Sequence, residues 1–217
     1  MNSTGRGWIF LGLIALGVVL VTVLRATLDE YLLSIVNFVG IYAILSVSLN
    51  LTNGFTGLFS LGHPAFMAIG GYTTAILTLP LNRKGMFLPD LPVWLGGLVV
   101  PFLPALMAGG FLAALTALIV GLPVLRLKGH YLAVATMGFL IVVQVLITNW
   151  DTVTRGPLGL NGLPALTNLW WVYPWLVVTI YVAWKVKFSS YGRSMLAIRE
   201  NDLAAQCLGV NLFRTRV

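Results

Sequence analysis

The chain has 217 residues, of which 59% are apolar and only 9% are charged. A soluble domain carries about 25% charged residues to cover its surface, so this composition excludes an ordinary soluble domain and indicates a membrane protein. The net charge of +7 is spread over the ends of apolar runs, which argues against nucleic acid as a partner, and the single cysteine excludes an internal disulfide.

Membrane-spanning helices are the main elements that the sequence predicts, because about 20 consecutive apolar residues cross a bilayer as an α-helix. Six runs have this character: residues 7–24, 31–50, 62–81, 96–122, 130–148 and 169–186. The fourth lies in a longer stretch, 93–125, where Pro101 and Pro104 are expected to kink a helix or to set its start. One long or broken helix is the interpretation we adopt here, with two crossings as the alternative. The fold class is therefore all-α, a polytopic membrane protein with about six spanning helices.

Orientation follows from the Lys and Arg residues at the ends of the spans. With six crossings both termini share a side, and nine basic residues fall there: Arg6, Arg126, Lys128, Lys185, Lys187, Arg193, Arg199, Arg214 and Arg216. Four fall on the opposite side: Arg25, Arg83, Lys84 and Arg155. The side richer in Lys and Arg is usually cytoplasmic, so both termini are predicted to be cytoplasmic.

An uncharged polar segment, "NLTNGFTGLFSLGHPAF" at residues 50–66, lies between the second and third spans. Its glycines allow unusual backbone angles, and Pro64 favours a new helix start. Irregular backbone at membrane depth is tolerated where it lines a transport path. We therefore predict a broken helix whose residues line a solute path: Asn50, Thr52, Asn53, Gly54, Gly57, Ser60, Gly62 and His63. A plain cytoplasmic loop is the alternative.

Catalytic and energy-coupling motifs are missing from the sequence. The spans carry almost no ionisable residues, which argues against a proton-driven transporter. The sequence also has no phosphate-binding loop, no catalytic constellation and no cluster of metal ligands. We predict a chain that is not an enzyme, needs no cofactor, and takes any energy for transport from another subunit.

The longest polar stretch, residues 188–217, falls on the cytoplasmic side. Within it "RENDLAAQCLG" predicts a short helix that Asn201 or Asp202 caps and Gly209 ends. Leu203 with Cys207, and Ala204 with Leu208, form apolar pairs four residues apart. Such a helix either docks into a groove on a partner or lies on the membrane surface.

Two other features leave alternatives open. Ala113, Ala117 and Gly121 recur four residues apart in the fourth span, and indicate either a packed helix interface or the ordinary Ala and Gly content of membrane helices. The outer segment 149–168, with Asp151 and Arg155, either receives a partner or only connects two spans.

The sequence of the predicted helix near 200–209 resembles a known motif. "DLAAQCLGV" resembles the coupling loop of ABC importer permeases, whose signature is Glu-Ala-Ala, three residues and Gly, although Leu203 replaces the Glu. Four blocks in order then resemble the permease family for branched-chain amino acids, above all its M-type membrane subunit. They are "NGFTGLFSLGHPAFMAIGGYTTAIL", "LPVLRLKGHYLAVATMGF", "TNWDTVTRGPLGLNGLP" and "YGRSMLAIRENDLAAQCLGVNLFRT".

The resemblance implies an ATP-driven importer for branched-chain or similar aliphatic amino acids in a prokaryotic inner membrane. Its partners would be ATP-binding cassette subunits, a second related permease subunit and an extracytoplasmic amino-acid-binding protein. Residues 1–187 would form the transmembrane domain and 188–217 the ATPase-coupling segment. Coupling would rest on Arg199, Asp202, Ala204, Ala205 and Gly209.

The family resemblance also implies that spans are missing at the C-terminus. Family members continue with further spans, so a chain that ends at Val217 is expected to be C-terminally truncated. The alternative functions are an energy-independent channel or facilitator for a small neutral solute, and a urea or short-amide ABC permease.

Overall fold

The computed structural model describes residues 17–89, 91–125, 127, 129–212 and 215, and every regular element within them is a helix. In chain order these are α1 (Gly17–Thr27), α2 (Glu30–Leu49), a π-helix (Asn50–Phe55), α3 (His63–Thr78), α4 (Leu81–Phe87), α5 (Val93–Gly96), α6 (Phe102–Val124), α7 (His130–Asn149), α8 (Asp151–Thr154), a 3-10 turn (Gly156–Leu158), α9 (Leu169–Phe188), α10 (Ser190–Glu200) and α11 (Asp202–Cys207). The predicted all-α class is confirmed.

Helices of spanning length occupy four of the six predicted positions. In the part of the chain that the structure describes, these helices are Glu30–Phe55, Phe102–Val124, Tyr131–Asn149 and Leu169–Phe188. The bent pair α3 and α4 adds a fifth if it forms one span. The first predicted span, 7–24, lies mostly outside the described residues, as do Arg6, Arg126, Lys128, Arg214 and Arg216. The chain is therefore a multi-pass membrane protein.

Prolines set the helix starts and one sharp bend. α6 begins directly after Pro101, with Pro104 in its first turn, so the stretch 93–125 holds a single helix of spanning length preceded by the four-residue α5. Within this stretch the structure thus has one helix of spanning length rather than two. α3 begins at His63 and Pro64, as predicted. At Pro80 the chain bends by 116° from α3 into α4.

The chain divides into two units. The first comprises the residues up to Phe55 together with Thr167–Arg193. Its main contact is α2 against α9, where Gly40 lets the helices approach closely: a Cβ atom on Gly40 would lie 2.5 Å from Cγ1 of Val172. Small residues at such contacts are typical of packed membrane helices.

The second unit comprises Thr56–Leu166 and the residues from Ser194 onward. Its main contact is α3 against α6, and α3 also packs against α7, where the rings of Phe66 and Phe139 lie 5.3 Å apart. The α3–α6 crossing lies at Gly70 and Gly109, with Ala113 alongside.

Of the small residues that the sequence offered for a helix interface, Ala113 lies beside this crossing. Ala117 and Gly121 line a groove with Leu118 and Leu122. Gly109, four residues before Ala113, is the small residue at the point of closest approach.

Basic side chains connect short elements of the second unit through hydrogen bonds. Lys84 of α4 is only 2% exposed, and its Nζ donates hydrogen bonds to the carbonyls of Leu95 (3.2 Å) and Leu98 (2.5 Å). Arg83 donates to the carbonyl of Gly162, which ties α4 to the predicted outer segment 149–168. A buried ammonium requires such acceptors, because an unpaired charge is costly away from water.

Candidate functional site

Four of the predicted path residues lie on the π-helix of the first unit rather than in an irregular loop. Asn50, Thr52, Asn53 and Gly54 continue α2 without interruption. The side-chain amide of Asn50 lies where a Cβ atom on Gly54 would stand. The hydroxyl of Thr52 donates to the carbonyl of Leu49 at 2.9 Å. π-helical turns are uncommon and are frequent at functional sites.

The other four predicted path residues lie in the second unit. The helical break is confined to residues 56–62, where Gly57 has a positive φ of 68° and Gly62 is buried. Ser60 is half-buried, and its Oγ accepts a weak hydrogen bond of 3.4 Å from the amide of Gly62. His63 is half-buried and is the first residue of α3. The irregular stretch is therefore shorter than the sequence predicted.

The end of this loop is anchored to α7. The amide of Leu61 donates to Oγ1 of Thr136 at 3.0 Å, and a Cβ atom on Gly62 would lie 3.4 Å from Cβ of Thr136. Thr136 lies six residues after His130, where α7 begins, which is about 9 Å along a helix. The loop therefore lies near the start of α7.

The beginning of the loop lies against α10. A Cβ atom on Gly57 would lie 3.0 Å from Cγ of Arg199 and 3.5 Å from its Cα. Thr56 and Ile198, the residues that precede this pair, are 6% and 2% exposed. Two regions that the sequence assigned to different roles, path and coupling, thus meet in the second unit.

The corner between α9 and α10 depends on two residues of the first unit. Oγ of Ser189 accepts from the amide of Gly192 at 3.1 Å and donates to the carbonyl of Val186 at 2.7 Å. A Cβ atom on Gly192 would lie 2.7 Å from the carbonyl oxygen of Lys187. Ser189 is the usual kind of residue before a helix start, and it directs the chain from α9 into α10.

The short helix α11 begins as predicted. Oδ1 of Asn201 accepts from the amides of Leu203 (2.9 Å) and Ala204 (3.1 Å), so Asn201 is the N-cap and Asp202 the first helical residue. Gly209 follows the helix with a φ of 82°, the left-handed conformation typical of a C-terminal glycine.

The faces of α11 differ sharply in exposure. Ala205 is 1% exposed and seats the helix on the protein, whereas Ala204 is exposed. Leu203 and Leu208 are 73% and 81% exposed, and Cys207 is also exposed. We call the set Leu203, Ala204, Cys207 and Leu208 the α11 face. Six residues are too few for a stable isolated helix, so the cap and the buried Ala205 hold the apolar face outward.

Several of these roles were not found from the sequence. Thr136, Ser189 and Gly192 are common residue types, and only Ser189 followed by Gly192 resembles a recognisable turn signal. The α11 face was visible as apolar pairs, but the sequence could not show which side of the helix the protein buries.

Comparison with known proteins relates the chain to permease components of transport systems. The family model described as "Branched-chain amino acid transport system / permease component" matches residues 31–217. The high-affinity branched-chain amino acid transport system permease protein LivM of Escherichia coli (strain K12) is 37% identical over 128 residues, which are 58% of this chain and 26% of that protein. LivM of Salmonella typhimurium is 35% identical over 128 residues, with the same shares. The matched region thus spans about a quarter of each relative's length. No solved structure matches the chain.

Proposed function

The chain belongs to the family of branched-chain amino acid transport permease components, and from this premise we propose that it is a membrane-spanning subunit of an ATP-driven importer. Its substrates are branched-chain or similar aliphatic amino acids. The observation that carries the proposal is the capped helix α11, which presents an apolar face outward at the position of the coupling signature.

The energy source in this proposal is a partner. In the described spanning helices the only carboxylate is Glu30, at the first residue of α2. Proton relays through membranes are commonly built from carboxylates and other ionisable groups, and the sequence has no phosphate-binding loop. ATP hydrolysis therefore belongs to ATP-binding cassette subunits, and the chain itself is not an enzyme.

The α11 face docks onto these ATPase subunits in our proposal. Large exposed apolar side chains such as Leu203 and Leu208 favour a protein partner, because interfaces bury apolar anchors at their centre. Arg199, Asp202 and Gly209 orient the helix, Ala205 seats it, and Ala204 lies at the contact. The segment 188–217 thus acts as the coupling segment, after the transmembrane domain 1–187.

Orientation in the inner membrane follows from the charges. Lys185 and Lys187 lie in the last turn of α9, immediately before α10 and α11. Because basic residues favour the cytoplasmic side, we assign this end and both termini to the cytoplasm. The opposite side, with Arg83 and Arg155, meets the amino-acid-binding protein, and a second related permease subunit completes the path.

The uncharged polar residues from Asn50 to His63 line this path. Neutral side chains suit a solute that must be released, and irregular or π-helical backbone suits a path through a membrane. The loop 56–62 lies near the start of α7, which our orientation places at the cytoplasmic end. We therefore assign that loop to the inner end of the path.

Co-purification tests the docking. The chain, with the other subunits of its transport system, is purified in detergent as wild type, Leu203→Asp, Leu208→Asp and Leu158→Asp. Leu158 is 70% exposed but lies in the outer segment, so it is a matched control. Recovery of the ATPase subunits should fall by about tenfold or more in the α11 variants, as expected for buried interface anchors, and stay unchanged in the control.

Uptake into liposomes tests the function itself. In liposomes that contain the chain with the other subunits of its transport system, we expect ATP-dependent accumulation of leucine, isoleucine or valine. Equilibration of solute without ATP would instead indicate a channel, and uptake of urea or acetamide in place of the amino acids would indicate a short-amide permease.

A further inference from the structure

One close contact in the second unit joins the loop 56–62 to the helix that leads into α11. Gly57 has a φ of 68°, and its missing Cβ would lie 3.0 Å from Cγ, 3.4 Å from Cβ and 3.5 Å from Cα of Arg199. The backbone of the loop therefore lies directly on the base of the Arg199 side chain. A residue with a side chain at position 57 meets both backbone strain and this contact.

The elements on either side of the contact are short and hydrogen-bonded. From Arg199 the chain reaches α11 through Asn201, whose amide donates to the carbonyl of Ala197 at 3.1 Å and whose side chain caps α11. From Gly57 the loop reaches α3 through Leu61, which Thr136 holds. A displacement of α11 is therefore passed to the loop with few free dihedral angles between them.

The contact is made by the aliphatic part of Arg199, not by its charge. The Arg199 side chain is 50% exposed, and its Nε lies 4.0 Å from Oε1 of Glu200. An exposed ion pair of this length contributes little. Arginine commonly packs its methylene stem against the protein.

From this geometry we propose that the Gly57–Arg199 contact positions the loop 56–62 according to the state of the docked ATPase. Arg199 is a positioning residue: it moves with α10 and α11 and shifts the loop backbone at the inner end of the path. The inference rests on the proposed function, and it adds a specific residue pair as the link between ATP hydrolysis and solute release.

The test measures leucine uptake and ATP hydrolysis together in liposomes that contain the complete importer. In Gly57→Ala the new methyl group presses against Cγ of Arg199, and in Arg199→Ala the contact loses that Cγ. Leucine imported per ATP should fall by about fivefold or more in each variant. This factor corresponds to the energetic cost that overpacked or loosened contacts usually have. In the double variant the methyl group added at position 57 fills the vacated space, and the ratio should return to within about twofold of wild type.

One further variant separates this contact from general damage. Gly129 also has a positive φ, 59°, but a Cβ there meets no described atom within 4 Å, so Gly129→Ala imposes backbone strain without a new contact and should leave the ratio unchanged. Assembly of each variant complex is verified by size-exclusion chromatography.

The possible failures are distinguishable. Absence of ATP-driven leucine uptake by the wild-type complex would overturn the proposed function and this inference with it. Normal wild-type uptake with an unchanged ratio in Gly57→Ala and Arg199→Ala would overturn the inference alone. So would a double variant that is worse than either single one.

Discussion

Gly109 and Gly70 bring the backbones of α6 and α3 together: a Cβ atom on Gly109 would lie 2.6 Å from the carbonyl oxygen of Gly70. Backbone atoms cannot rotate away as a side chain can, so the crossing itself must widen if residue 109 is enlarged. Close approach of this kind is how membrane helices gain packing energy where no hydrophobic effect drives them together.

Gly109→Ala should therefore destabilise the second unit by about 1–3 kcal/mol, the usual cost of overpacking. Gly110→Ala is the matched control, because a Cβ there meets no atom of the described residues within 4 Å and alanine favours a helix over glycine by up to about 1 kcal/mol. Thermal unfolding in detergent measures both. Equal stability of the two variants would contradict the crossing described above.

The α2–α9 contact of the first unit allows a compensating pair. Gly40→Ala places a methyl group 2.5 Å from Cγ1 of Val172 and should cost about 1–3 kcal/mol. Val172→Ala removes that atom but leaves a small cavity, with a cost of about 1–2 kcal/mol. The double variant should be more stable than the sum of the single effects predicts, by at least about 0.5 kcal/mol. Additive effects in the same unfolding measurement would show that the two positions do not touch.

Membrane-scale features of this chain follow from the sequence because they depend on local chemistry. An apolar run such as 130–148 must be helical in a bilayer, Pro101 cannot sit inside a helix without cost, and Asn201 satisfies free amides wherever a helix begins after it. These predictions needed no knowledge of neighbours in space.

The contacts that give the candidate site its geometry depend on neighbours that are distant in the chain. Gly57 meets Arg199, and Gly70 meets Gly109, without any pairing signal in the sequence. A stripe of small residues shows where helices can approach, but not at which turn they come closest, so the sequence did not single out Gly109. Likewise the coupling signature contains both Ala204 and Ala205, and only the packed structure separates the exposed residue from the buried one.

The cap of α11 makes a direct prediction about docking. Asn201→Ala removes the acceptor for the amides of Leu203 and Ala204 and should destabilise α11 by about 1 kcal/mol. Asn201→Asp keeps a capping oxygen and should preserve the helix. In Asn201→Ala, the protection of residues 203–208 from hydrogen exchange and the yield of co-purified ATPase should fall together. Unchanged exchange would mean that Ala205 alone holds the helix.

Lys84 is predicted to hold the connection between α4 and α6. Lys84→Met leaves the carbonyls of Leu95 and Leu98 without this donor, and hydrogen bonds from charged groups contribute about 1.5–3 kcal/mol each. We expect faster hydrogen exchange across residues 88–98. Lys185→Met, at an exposed lysine of the first unit, is the control and should leave this exchange unchanged. Hydrogen-exchange protection equal to wild type in Lys84→Met would show that these hydrogen bonds do not hold the connection.

Arg155 combines an unfavourable backbone with a favourable side chain. Its φ is 63°, in the left-handed region, where a residue other than glycine costs roughly 1 kcal/mol. Its guanidinium lies 4.4 Å from the centroid of the Phe87 ring, and such a cation–π contact contributes about 0.5–1 kcal/mol when partly exposed. Arg155→Ala should therefore lose the contact and retain the strain, whereas Arg155→Gly loses both.

Phe87→Leu should destabilise the wild type, but its cost should be about 0.5–1 kcal/mol smaller in an Arg155→Gly background. Equal costs in the two backgrounds, measured by thermal unfolding, would show that the Arg155–Phe87 contact contributes no stability.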